Sequence, residues 1–265
     1  MCAIIGWSGD LSEGLWGSQV DLFEAMLLAA ESHGPHATGF VAHSSAYKKP
    51  YRESIITAKA PLPASEFIRT NSRWRSLRHK RSATVLGHVR YATHGSPEEN
   101  RNNHPFVSDD GRFHLVHNGV LSNHEDVVQH HQLALQSECD SEAILRLIEA
   151  TGEPIKGLST VLGEFEGSMA VALFDAQTGL IWLATNGGRP LLLCKLKGRF
   201  GWLWASTRTI LHRALARVYG ENFARLIEVE MPLSPYVLHA ISPIGRVLTV
   251  DADGAVERRT SLVDD

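Results

Sequence analysis

The chain opens on CAIIGWSG, a short apolar run closed by glycine, which is the pattern of a buried strand. Between Ser18 and Gly34 the spacing turns helical. Val20, Phe23, Leu27 and Ala30 recur on one face, Ser18 and Asp21 resemble a capping box, and Gly34-Pro35 ends the run. Strands are predicted over 38–43 and 52–59, followed by a helix over 64–72 and a basic loop. From Thr84 to Tyr91 the residues alternate, with Val85, Gly87, Val89 and Tyr91 on one face and Leu86, His88 and Arg90 on the other. Residues 92–111 carry glycines, prolines and asparagines with little periodicity and read as a long loop of the kind that bears function. A strand over 112–117 then meets Asn118-Gly119, a dipeptide that signals a hairpin turn.

Helices are predicted over 140–150 and from Ile155 to Phe165, each with one apolar face. Strands follow at 168–174, 180–185, 190–195 and 200–205, then a helix over 207–218 capped by Ser206, and further strands to about residue 258. Strand runs interrupted by paired helices, without regular alternation, indicate a layered α+β fold rather than a doubly wound parallel sheet. No linker, repeat or low-complexity segment divides the chain, so residues 1–265 are expected to form one domain.

Composition changes this picture little. The 265 residues are 43% apolar and carry a net charge of -3. No stretch approaches the roughly 20 apolar residues of a membrane span, and no secretory signal opens the chain, so the expected location is cytoplasmic. The basic cluster Arg73, Arg75, Arg78, Lys80 and Arg81 is expected to be a solvated face, with no nucleic-acid partner. Cys2, Cys139 and Cys194 cannot all pair, and neither they nor the histidines show metal-ligand spacing; no metal and no cofactor are expected.

Cys2 is where chemistry enters. Followed by small Ala3, it suits removal of Met1, which would leave a chain beginning with a thiol nucleophile and a free α-amino group of pKa roughly 7.7 to 8.0. The competing reading is a small residue buried in a strand. Asn118-Gly119 is either a hairpin turn or a pair of hydrogen-bond donors for an oxyanion. Arg90 and Asp140 are a cation and an anion of the kind a free amino acid needs, or else a strand-surface arginine and a helix N-cap.

Six segments decide among these readings: CAIIGWSG, SHGPHATGF, GHVRYATHG, NNHPF, HNGVLSNHEDV and CDSEAI. Their order and separations resemble those of class II glutamine amidotransferases, as in the glutaminase domain of glucosamine-6-phosphate synthase. NGGRPLLL and WASTRTIL extend the likeness to about residue 212. The resemblance implies a four-layer αββα sandwich of the N-terminal-nucleophile hydrolase type. In it Cys2 is the nucleophile that forms a γ-glutamyl thioester, and Asn118 and Gly119 form the oxyanion hole. Arg90 grips the substrate carboxylate, Thr93, His94 and Gly95 line the adjoining loop, and Asp140 pairs with the substrate ammonium. His104 matches a loop residue whose reading is structural as readily as functional. Two departures stand out: Tyr91 replaces a tryptophan usual in the synthases, and HGPHATG carries a different charge pattern.

The expected function is hydrolysis of the glutamine side-chain amide, with ammonia supplied to a separate acceptor protein, because the residues after WASTRTIL are too few for a synthase domain. An independent amidase for a γ-glutamyl compound is the alternative, and a non-catalytic regulatory module with the same fold is a third.

Overall fold

The computed structural model describes residues 1–9, 16–44, 55–77, 82–197 and 201–251. Two antiparallel sheets lie face to face. The first has seven strands: β1 (Ala3–Ser8), β2 (Ala37–His43), β3 (Ile55–Ala60), β4 (Thr84–Arg90), β9 (Leu192–Leu196), β10 (Trp202–Ala205) and β11 (Ile227–Pro232), in the order β11-β9-β10-β1-β4-β2-β3. The second has β5 (Phe106–Val107), β6 (Phe113–Leu121), β7 (Gly167–Asp175), β8 (Leu180–Thr185), β12 (Val237–Ile241) and β13 (Val247–Asp251), ordered β13-β12-β8-β7-β6-β5.

Strand periodicity sorts the apolar side chains into three cores. Along β1, Ala3, Ile5 and Trp7 face outward to helices α1 (Trp16–Ala30), α2 (Ala64–Thr70), α3 (Ser72–Leu77) and α7 (Arg208–Tyr219), whereas Ile4 faces the other sheet. Along β7, Met169, Val171 and Leu173 face α4 (His124–His130), α5 (Asp140–Thr151) and α6 (Pro154–Glu164), whereas Ala170, Ala172 and Phe174 meet Ile4, Val41, Leu86 and Trp204 between the sheets. The layers therefore run helix, sheet, sheet, helix, which is the expected αββα sandwich. No helix among the described residues is long and apolar enough to cross a membrane.

Local departures have local causes. The helix expected over 64–72 breaks at Asn71, whose extended backbone ends α2 and whose Oδ1 accepts the N–H groups of Arg73 and Trp74, both at 3.0 Å. It thereby caps α3, and the start of the supposed basic loop is helical because Trp74 and Leu77 bury beneath it. Arg78, Lys80 and Arg81 of the basic cluster lie outside the described residues. Helix α1 already includes Trp16, so Ser18 stands inside it rather than at its cap. Helix α7 is capped by Thr207, whose hydroxyl accepts from Ile210 N, leaving Ser206 for another task. Asn118-Gly119 is no turn: both residues lie within β6, paired with Ala170 and Met169. The loop over 92–111 contains a short 3₁₀ turn at Asn100–Asn102 and the edge strand β5. The strand expected from 52 begins at Ile55; residues 52–54, like 252–258, lie outside the described residues.

Phe174 is fully buried in the inter-sheet core, against the rings of His43 and His114 at 5.3 and 5.8 Å. Phe174→Ala is expected to lower unfolding free energy by about 3–5 kcal/mol through lost burial and a residual cavity. Urea denaturation should show this as a lower midpoint with an unchanged slope.

Candidate active site

Cys2 precedes the central strand of the larger sheet, so neighbours approach it from both sides. The β1–β4 register sets Ala3 opposite Val89, which brings Arg90 beside Cys2. The thiol and the Tyr91 backbone bond reciprocally, with Tyr91 N–H donating to Sγ at 3.2 Å and Sγ donating to the Tyr91 carbonyl at 3.4 Å. On the β10 side, Ser206 Oγ accepts the Ile4 N–H at 2.8 Å while Ser206 N–H donates to the Ile4 carbonyl. The same Oγ accepts from Asn118 Nδ2 at 3.3 Å. One hydroxyl thus joins β1, the strand that follows Cys2, to β6 of the opposite sheet.

Asn118 is buried, and its donation to Ser206 leaves one amide hydrogen without a bond to the described residues. Gly119 beside it has no alternative: a Cβ there would stand 1.9 Å from the Ser168 carbonyl oxygen and 2.4 Å from His117 Nε2. The backbone at this step of β6 is packed too closely for any side chain.

Arg90 is 2% exposed, so the surface-strand reading fails. Its Nη1 donates to Asn103 Oδ1 at 2.9 Å, and its Nη2 donates to the carbonyls of His94 and Gly95 at 2.5 and 3.1 Å. The guanidinium shapes the loop that follows it, leaving Nε–H and one Nη1 hydrogen without a bond to the described residues. Gly95 takes a left-handed conformation, φ 71°, pressed against Asn102. The Asn102 amide donates to the Ser96 carbonyl and its Oδ1 accepts the Glu138 N–H, while Asn103 Nδ2 donates to the Pro97 carbonyl. His36 packs on Tyr91, with ring centroids 4.7 Å apart, and accepts the Ala92 N–H. Thr93 and Tyr91 are exposed on this loop.

Asp140 is the first residue of α5, and the competing reading of it as the helix N-cap does not hold: Cys139 stands at the cap and no side chain caps the helix. Asp140 Oδ2 instead accepts the Leu121 N–H at 2.9 Å at the end of β6, and His94 Nδ1 lies 3.8 Å from it. Burial pushes the Cys2 thiol up; the Tyr91 N–H, the N-terminal amine and Arg90 pull it down, and Asp140 pushes it up again. Arg90 and Asp140 both act on the same sulfur, so cation, anion and thiol are assembled in one place.

Beneath the site lies a stack of neutral histidines. His88 Nε2 donates to the His117 carbonyl at 2.9 Å, and its ring lies 4.0 Å from that of His104. His104 has no hydrogen-bond partner among the described residues and meets Phe106 edge-on, which favours its structural reading. Burial drives His88 down to about 3, His104 well below the usual value, and His117 down as well. Nearby, Lys59 is lowered to about 8 by burial while donating to the carbonyls of Asn103 and Pro105.

Sequence reasoning missed Ser206 as a tether, Asn102 and Asn103 as loop supports, and Lys59. NNHPF carried a signal for the asparagines; nothing in the alternation of β3 singled out Lys59. No group of three or more histidine, cysteine or acidic residues among those described is placed to hold a metal. Cavities of about 510 Å³ occur beside α6 and between α1 and α7, and neither is lined by the residues above.

Because His88 titrates near 6.5 when unfolded and near 3 when folded, the unfolded chain takes up the proton first, and stability falls as pH drops from 6.5 toward 3. The unfolding free energy from urea denaturation is expected to decline between pH 7 and pH 5, by up to about 1.4 kcal/mol per pH unit for this group alone. His88→Gln keeps a donor for His117 and should flatten that decline; an unchanged pH slope would exclude His88 as its source.

Residues 74–259 match a family model described as a glutamine amidotransferase domain. Among curated relatives, glutamine–fructose-6-phosphate aminotransferase (isomerizing) of Geobacillus kaustophilus is 41% identical over 121 residues, covering 42% of this chain and 20% of that protein. The same enzyme of Oceanobacillus iheyensis is 36% identical over 118 residues, again covering 42% of this chain and 20% of the relative. The match therefore spans about a fifth of these relatives' length. Among solved structures, glutamine phosphoribosylpyrophosphate amidotransferase of B. subtilis, complexed with ADP and GMP, superposes with a TM-score of 0.71 at 19% identity, over 97% of this chain and 50% of that one.

Proposed function

We propose that this chain, which belongs to the class II glutamine amidotransferase family, hydrolyses the glutamine side-chain amide with Cys2 as nucleophile. The observation that carries this reading is the Cys2 thiol set beside Arg90 by the β1–β4 register and bonded to Tyr91, with Asn118 tethered to the same strand through Ser206. A thiol raised by burial is protonated at neutral pH and needs a base. Removal of Met1 would supply one in the α-amino group of Cys2 itself.

In this mechanism the α-amine takes the thiol proton as Sγ bonds to the amide carbon. The electron pair of the C=O bond moves onto oxygen, where the remaining Asn118 amide hydrogen and the Gly119 N–H receive it. The amine then passes its proton to the leaving nitrogen, ammonia departs, and water cleaves the γ-glutamyl thioester to give glutamate and the free thiol. Asp140 pairs with the substrate ammonium. Arg90 receives the α-carboxylate through its uncommitted hydrogens and holds Thr93, His94 and Gly95 in place around it. The whole of residues 1–265 acts as one domain, in the cytoplasm, and the ammonia passes to a separate acceptor protein.

Incubation with 6-diazo-5-oxo-L-norleucine, a reactive glutamine analogue, is expected to place a single adduct on Cys2 of a chain lacking Met1, read by intact mass and peptide mapping. Cys2→Ala should abolish both adduct and ammonia release; full glutamine hydrolysis by that variant would remove Cys2 from the mechanism. Asn118→Ala should lower kcat by roughly 10² to 10³ with a smaller change in KM, as expected for a donor used mainly in the transition state.

A further inference from the structure

Arg189 ends the NGGR segment between β8 and β9, a loop fixed independently of the arginine side chain. Asn186 Oδ1 accepts the N–H groups of Met169 and Gly188, both at 3.0 Å, and its Nδ2 donates to the Gly167 carbonyl at 3.0 Å. The Thr185 hydroxyl donates to the Arg189 carbonyl at 2.7 Å, and Pro190 restricts the chain beyond. The backbone beneath Arg189 is therefore set by β7 and β8.

The side chain is poorly satisfied by comparison. Its Nη1 donates to Met1 Sδ at 3.1 Å, a weak thioether acceptor, and its Nε is buried with no partner among the described residues. Buried guanidinium donors ordinarily find oxygen acceptors, as the three donated by Arg90 do. The contact also locates the group, because Met1 adjoins Cys2. In the strand order β9-β10-β1-β4, Arg189 approaches from the β9–β10 side while Arg90 approaches from β4. Its charge reaches His117, next to Asn118, where it adds to the effect of burial in keeping that ring neutral.

We propose that Arg189 is a carboxylate-recognising residue of the Cys2 site, and that a carboxylate of the γ-glutamyl substrate takes the place now held by Met1 Sδ. The inference rests on the reading of Cys2 as a nucleophile freed from Met1: the event that exposes the amine also removes the only hydrogen-bond acceptor of Arg189 among the described residues. A guanidinium with an open fork is matched to a carboxylate by bidentate, charge-assisted hydrogen bonds. Two carboxylates qualify, that of the glutamyl α-carbon and one borne by the released amine.

Calorimetric affinities of a Cys2→Ala chain, checked by mass for loss of Met1, decide the matter without turnover. The ligands are L-glutamine, γ-glutamylethylamide and γ-glutamylglycine, of which only the last carries a carboxylate on its amine part. Adding Arg189→Met is expected to weaken binding of γ-glutamylglycine by about 10- to 100-fold, and Arg189→Lys by less. Loss confined to γ-glutamylglycine assigns Arg189 to the amine's carboxylate, and equal loss on all three assigns it to the α-carboxylate. Affinities unchanged by Arg189→Met overturn the proposal. Hydrolysis by the otherwise unaltered chain is scored separately: binding that depends on Arg189 without turnover would overturn the glutaminase reading and leave this one standing, and no binding of any ligand overturns both.

Discussion

The hydroxyl of Ser206 is the point on which the site's geometry turns. Two sheets packed through apolar side chains can slide, because dispersion and burial are not directional. Ser206 Oγ accepts from Ile4 N on one sheet and from Asn118 Nδ2 on the other, so it converts a face-to-face contact into a fixed distance between the strand that carries Cys2 and the strand that carries Asn118. His88, reaching from β4 to the His117 carbonyl, makes a second such bond one strand away. Both lie where water is excluded, so breaking either would leave a buried polar group unpaired, which costs more than the bond itself contributes.

The loop after β4 is organised by the same economy of buried donors. Arg90 cannot enter the interior without acceptors, and its own following loop provides them through the carbonyls of His94 and Gly95 and the side chain of Asn103. Lys59 holds the far end through the carbonyls of Asn103 and Pro105. Two cations thus replace the regular hydrogen bonding that a loop lacks, and the left-handed Gly95 lets the chain turn tightly enough for its own carbonyl and that of His94 both to face Arg90. The histidines packed behind them stay neutral, so the interior does not accumulate further positive charge beside the guanidinium.

Much of this was legible in the chain. The alternation of Val85, Leu86, Gly87, His88, Val89 and Arg90 assigned faces that the cores of the folded protein reproduce, and the helical spacing of α1, α5 and α6 was plain, because each buries one continuous apolar stripe. What escaped was set by contacts between residues far apart. Asn118-Gly119 reads locally as a turn, yet β7 pairs with it through its whole length, and the glycine answers to Ser168 rather than to a positive φ. Ser206 reads as a cap, but its partners are residues 4 and 118, and Thr207 is left to cap the helix. Asp140 was assigned by type and position, while the donor that holds it, Leu121 N–H, belongs to another element. In each case the residue's type was informative and its partner was not, since sequence separation hides pairings made by topology.

The two ends of the Cys2 peptide face different constraints, and these bear on the proposed role of Cys2. The sulfur is fixed by Tyr91, and its surroundings favour the protonated thiol. Arg90, a permanent cation, has no lone pair to take that proton, and Asp140 already accepts Leu121 N–H. Burial disfavours a proton on His88, His104 and His117, and the contacts of His88 lead away from the sulfur to His117 and His104. The nitrogen of Cys2 lies within reach by covalent geometry alone, but as a peptide N–H with Met1 attached it has no basic lone pair. Cleavage of one peptide bond would therefore change this site from a half-buried, protonated cysteine into a thiol beside its own base, without moving any strand.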